Sequence, residues 1–206
     1  MNAPPSIRRA GDRAFLVELA DNESVHRTAA GIRAAGHPRL AEIVPGHTTL
    51  LLVWEARAPA PDAVARMVAG ARAPAAPPPE GRPLTLAVRY DGPDLEAVAA
   101  TLGMSADEVV ARHRAGAYRV AFIGFAPGFA YLVGGDPALV VARRSVPRTR
   151  VPAGALAIAG PYTAIYPRAA PGGWNLIGSC DAVLFDTARR PPALLEPGAR
   201  VDLAAP

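Results

Sequence analysis

The sequence predicts a small α+β domain followed by a mainly β domain that closes into a barrel. Three observations carry this expectation. The first is a seam: ARAPAAPPPEGRP, residues 71–83, holds five prolines among small residues and sustains neither a helix nor a central strand. The second is the pattern before the seam, which runs strand, strand, helix, strand, strand, helix and suits a layered α+β sandwich. The third is the pattern after it, where short apolar segments punctuated by Gly and Pro favour a closed or nearly closed barrel. The domains are therefore read as 1–76 and 84–206, joined by a Pro-rich linker at 77–83.

Each element has a local reason. AFLVEL (14–19) reads as a strand, and SVHRTAAGIRAA (24–35) as a helix entered through Asn22 or Ser24. LAEIV (40–44) and TTLLLVW (48–54) read as strands around the turn PGH, and Pro61 with Asp62 starts a helix through DAVARMVAGA. Beyond the seam, LTLAVRY (84–90) is strand-like, and GPDLEAVAATLG is a short helix stopped by Gly103. Ser105 and Glu108 stand in capping-box spacing and open a second helix toward His113. YRVAFIG (118–124) alternates large side chains as a strand does. LVVARR, ALAIAG, TAIYP, WNLIG, AVLFD and ARVDL follow as further strand candidates.

Composition narrows the chemistry. Inspection of the sequence shows all 22 basic residues to be arginine, which removes a phosphate-binding P-loop lysine, a Schiff-base lysine and a lysine general base. The net charge of +4 is spread along the chain without a basic stripe, so nucleic acid is not expected as a partner. No apolar run reaches the length of a membrane helix, and the start lacks the basic-then-apolar order of a signal peptide. A single cysteine, Cys180, allows no internal disulfide and suits a reducing compartment, so the cytoplasm is expected. The four histidines show no paired-ligand spacing, and no tightly bound metal is expected.

Two stretches carry candidate chemistry. In GFAPGFAYL (124–132), Phe125, Phe129 and Tyr131 gather around Pro127 and Gly128, which interrupt any regular strand. These rings either line one wall of a groove or form an aromatic core cluster. In PRTRVPAG, Arg148 and Arg150 lie two apart, so an extended segment points both the same way. Such a pair grips a carboxylate or phosphate, or else lies on a solvated face. Pro171, Gly172, Gly173 and Trp174 form a tight turn, either bringing backbone N–H groups to an oxyanion or making a barrel corner. His113 is a general acid or base candidate, and equally a favourable group at a helix end. Asp91 and Asp94 are further candidates, with Asp94 better suited to capping a helix.

Taken together, GFAPGFAYL, PRTRVPAG, IAG, IYP and APGGWNLIG, with GDRAFLVEL, IVPGHTTLLLVW, YDGPDLEAVA and ARH before them, resemble the allophanate hydrolase subunit 1 family. That family is also called KipI-like, and it includes the B-type subunits of 5-oxoprolinase. The resemblance runs over nearly the whole chain and implies a cyclophilin-like barrel for the second domain. It also implies a subunit of an ATP-dependent complex that cleaves 5-oxo-L-proline to L-glutamate. The implied partners are a KipA-like subunit 2 and a third subunit of the LamB/YcsF type, with ATP held jointly with a partner. Under it Arg148 and Arg150 would meet the substrate carboxylate or phosphoryl charge, and His113 would handle a proton. Phe125, Pro127, Gly128, Phe129, Tyr166, Gly172, Gly173 and Trp174 would surround the substrate. The family also includes an inhibitor of a histidine kinase and carboxyl-transferring domains of urea carboxylase. Pro161, Ala164 and Ala130 depart from its common pattern.

Overall fold

Alternating burial along two central strands organises the amino-terminal unit. Strand β2 (Ala14–Glu18) and strand β4 (Thr49–Trp54) lie side by side in a four-stranded antiparallel sheet, flanked by β1 (Ser6–Arg9) and β3 (Leu40–Pro45). Phe15, Val17, Leu50, Leu52 and Trp54 share one core with two helices, α1 (Asn22–Ala35) and α2 (Pro61–Ala71). The helices contribute Val25, Ile32, Val64 and Val68. Helix α1 is capped by Asp21, whose carboxylate accepts the Ser24 N–H at 2.7 Å, and not by Asn22 or Ser24 as expected. The Asn22 amide instead donates to the carbonyls of Gly46 and His47 in the PGH turn.

This computed structural model describes residues 5–71 and 83–206, and the chain divides into two compact units, Met1–Glu80 and Gly81–Pro206. Apart from Pro83, the linker expected at 77–83 lies outside the described residues.

The second unit is a closed seven-stranded barrel with helices α3 (Leu95–Leu102) and α4 (Ala106–Arg114). Its strands in chain order are β5 (Leu84–Arg89), β6 (Tyr118–Ile123), β7 (Ala130–Val133), β9 (Ala155–Ala159), β10 (Tyr162–Ile165), β12 (Asn175–Cys180) and β13 (Arg200–Ala204). Around the barrel the order is β10-β7-β6-β13-β5-β12-β9, with β13 parallel to β5. Strands β8 (Arg148–Val151) and β11 (Ala170–Gly172) form a separate two-stranded ribbon. Ser105 caps α4 by accepting the Glu108 N–H, while the Glu108 side chain turns to Arg112 instead of closing a reciprocal box.

Because successive side chains on a strand point to opposite faces, β9 serves two cores at once. Leu156 and Ile158 enter the barrel interior, to which all seven strands contribute. Ala155, Ala157 and Ala159 face a second layer containing Phe129, Tyr166 and Trp174 together with Val151 of the ribbon. Small residues on that face leave room for large rings. Two expected strands are absent. Within LVVARR the chain leaves a 3-10 turn at Pro137–Leu139, fixed by Asp136 accepting the Ala138 N–H, and only Val141 makes a bridge, to Gly160. AVLFD likewise makes a single bridge, from Phe185, because Asp186 accepts the N–H groups of Ala188 and Arg189 and turns the chain.

At Gly178 the β12 backbone runs so close to β5 that an added Cβ would overlap the Arg89 carbonyl oxygen. Overpacking of this kind costs about 1–3 kcal/mol. Gly178→Ala is therefore expected to lower stability by that amount in urea unfolding, and an unchanged midpoint would refute the close approach.

Candidate functional site

The bend in GFAPGFAYL is the hairpin turn between β6 and β7. Backbone hydrogen bonds close it from Gly124 N to Phe129 O at 3.1 Å and from Phe129 N to Ala126 O at 2.9 Å. Gly128 takes φ +77° there. Phe125 also takes a positive φ, +61°, with its side chain 60% exposed. A bulky residue in this region carries strain on the order of 1–3 kcal/mol, so the turn holds Phe125 outward at a cost. Phe129, four residues on, is 1% exposed.

Beneath Phe125 lies a layer of rings set mostly edge to face, the arrangement the ring quadrupole favours. Phe129 meets Phe125, Tyr166 and Trp174 with centroid separations of 5.1, 5.2 and 5.6 Å. Tyr131 and Tyr162 extend the layer. Phe129, Tyr166 and Trp174 are therefore core residues. Of the two readings left open for the rings of this turn, Phe129 follows the core cluster, and none of the three forms an accessible wall around a substrate. Of the rings expected around a substrate, only Phe125 reaches solvent, beside the exposed Pro127. The Tyr166 hydroxyl lies where a Cβ on residue 172 would stand, which is why Gly172 is there. Burial pushes the Tyr166 hydroxyl up from its ordinary range, opposed chiefly by the charge of Arg143. The Arg143 guanidinium itself stands 6.0 Å from the centre of the Trp174 ring.

At the start of α3, Asp94 joins segments distant in sequence. Its carboxylate accepts Arg144 Nη1 at 2.8 Å, Arg148 Nη1 at 2.9 Å and Nη2 at 2.8 Å, and the Leu176 N–H at 2.7 Å. Burial pushes its pKa up, but the Arg148 hydrogen bonds, the Leu176 N–H and the two guanidinium charges prevail and hold it below the usual carboxylate range. Asp94 occupies the cap position without making a cap hydrogen bond, contrary to the role expected for it. Arg148 is thus paired inward, while Arg150 is exposed and has no hydrogen bond or ion pair among the described residues. The expected Arg148–Arg150 grip does not form, because Asp94 draws Arg148 together with Arg144 instead.

Two other candidates take different places. Gly172 is part of ribbon strand β11, opposite Arg148, and the Gly173 carbonyl accepts the Arg144 N–H at 2.8 Å. His113 is buried, with Nδ1 2.8 Å from the Tyr90 hydroxyl and Nε2 2.9 Å from the Thr163 hydroxyl. It lines a cavity of about 190 Å³ with Tyr118, Ile158 and Tyr162. Burial pulls its pKa down to about 4, so the ring is neutral near pH 7, and no hydrogen bond links it to Asp94. A solvent-facing general acid or base is not what this geometry provides.

The arrangement thus offers a protruding aromatic ring over a buried aromatic layer, with the exposed Arg143 beside that layer, while the exposed Arg150 lies on the ribbon. Arg143 and Arg144 are components that the sequence reading gave no role, and Asp94, read there as a candidate better suited to capping a helix, instead gathers the arginines. Four arginines within residues 143–150 were the available signal, but nothing local pairs them with a carboxylate 50 residues earlier. Among the described residues, no cluster of three or more His, Cys, Asp or Glu side chains is placed to hold a metal ion.

Residues 5–195 match the family model described as carboxyltransferase domain, subdomain C and D. The B-type subunit of 5-oxoprolinase from Escherichia coli O157:H7 is 40% identical over 88% of this chain and 84% of its own length. The solved structure of TTHA0988 superposes with a TM-score of 0.82 at 38% identity, over 94% of this chain but only 40% of that one. Urea carboxylase of Kluyveromyces lactis shares the fold, with a TM-score of 0.70 at 19% identity over 98% of this chain and 22% of its own.

Two pH effects follow. Asp94 has a lowered folded pKa, so its contribution is complete above the ordinary carboxylate range and is lost as pH falls through the lowered value. Asp94→Asn is expected to cost about 2–3 kcal/mol at pH 7, less than for a fully buried pair because both arginines are partly exposed. That difference should shrink as pH falls below about 4. His113 is held neutral by burial, so its contribution is complete above 6.5 and is lost as pH falls from 6.5 to about 4. Urea unfolding of His113→Gln should show a flatter pH dependence across that interval than the parent chain, and parallel curves would exclude His113 as the cause.

Proposed function

This chain belongs to the carboxyltransferase domain family, subdomain C and D, and we propose that it is one subunit of a 5-oxoprolinase-type complex. The observation that carries this reading is its 40% identity to a B-type subunit of 5-oxoprolinase along 88% of the chain. In the proposed reaction, the lactam oxygen takes the γ-phosphoryl group of ATP and releases ADP. Water then adds to the activated carbon, the ring C–N bond breaks to give an acyl phosphate with a free amine, and a second water releases phosphate and leaves glutamate. The residues on the aromatic face suit part of this work. Arg143 lies beside the aromatic layer and can take the substrate carboxylate as a charge-assisted hydrogen bond. Arg148, neutralised by Asp94, acts in this scheme by fixing the ribbon and not by meeting the substrate.

ATP enters as a substrate. Exposed guanidiniums suit its phosphate charge, but the chain contains neither lysine nor a P-loop, so a second polypeptide completes the nucleotide site in this proposal. The remaining members of the complex are a KipA-like chain and a LamB/YcsF-type chain. Likeness to urea carboxylase at 19% identity bears on the fold alone.

ATP-dependent glutamate release from 5-oxo-L-proline tests the proposal. The chain alone, the KipA-like partner alone, the pair, and the pair with the LamB/YcsF-type chain are compared. Turnover is expected only in the complete mixture. Equal turnover without this chain, or none in the complete mixture, would overturn the reading. Arg143→Ala in the intact complex should raise KM for 5-oxoproline by roughly 10-fold, with a smaller change in kcat.

A further inference from the structure

We propose that Phe125 is the anchor through which this face docks onto a second polypeptide chain, one that offers an apolar pocket rimmed by carboxylates. This rests on the multi-subunit reading above and names the surface it uses. Phe125 projects from the apex of the β6–β7 turn, 60% exposed, in a backbone conformation that phenylalanine ordinarily avoids. The fold holds it there through the hydrogen-bonded turn and the edge-to-face contacts of its ring with Phe129 and Tyr166. A small ligand is usually enclosed by a concave site, whereas a protruding ring on a rigid base is a knob suited to another chain's pocket.

Charge lies beside this knob, since the Arg143 guanidinium stands 6.0 Å from the Trp174 ring of the layer beneath it. Residues 143–150 contain four arginines and no carboxylate, and the one carboxylate that pairs with them, Asp94, leaves a net charge of +3 on the group (4 − 1 = 3). Val146, in the same segment, is 72% exposed. More than half of the TTHA0988 chain lies outside the matched region, so that relative carries further polypeptide in the same molecule.

The test titrates the purified chain with the purified KipA-like partner by isothermal titration calorimetry, at low and high salt. The variant is Phe125→Asn, because asparagine accepts a positive φ and so preserves the turn. It is expected to weaken association by roughly 30-fold or more, with the melting temperature of the free chain little changed. Phe125→Tyr should retain most of the affinity, and Arg143→Glu should weaken binding and reduce its salt dependence. An unchanged Kd for Phe125→Asn, with a raised KM for 5-oxoproline in the assembled complex, would overturn the docking role and turn the ring toward substrate. If the parent chain does not associate at all, the multi-subunit reading falls along with this one.

Discussion

The buried carboxylate of Asp94 is the constraint on which the exposed face of the barrel depends. A charge taken out of water is tolerated only when paired, and Asp94 is paired on both oxygens. The partners come from three places: the segment before the ribbon, ribbon strand β8, and barrel strand β12. Satisfying one carboxylate therefore fixes the entrance of α3 against β12 and draws the ribbon to the same point. The cost of leaving any of these groups unpaired is what makes the arrangement specific.

That anchoring has a consequence for the aromatic layer. With the ribbon in place, Val151 joins the layer beside Phe129, Tyr166 and Trp174, and the alanines of β9 and β10 make the space that the rings fill. Once Phe129 occupies the interior, Phe125 on the same short turn is directed outward. Its exposure and strain thus follow from burial of its neighbours. The face that results is rigid beneath and apolar at its apex, with cationic groups beside it.

The two polar centres of the barrel domain divide the work differently from their first appearance in sequence. Asp94, Arg144 and Arg148 hold structure and leave Arg143 and Arg150 available to solvent. His113 is the opposite case: the residue with the most familiar catalytic chemistry is sealed between Tyr90 and Thr163 and kept neutral. Its hydrogen bonds and burial account for its position without a proton-transfer role.

The sequence by itself determined the strand and helix order of the amino-terminal unit, the capping of α4 at Ser105 and the barrel character of the second unit. These are legible because periodicity, caps and turn residues act over a few neighbouring positions. It also determined the absence of lysine chemistry. Only the tertiary structure decided which face each aromatic ring would join, since Phe125 and Phe129 are alike in sequence and opposite in burial. It likewise decided that Arg148 would join Arg144 on the Asp94 carboxylate and not act beside Arg150. Extended spacing reports the direction of a side chain, but the partner waiting in that direction lies 54 residues away along the chain. Which charge meets which is settled by packing, because a buried ion takes the partners that the closed fold brings to it.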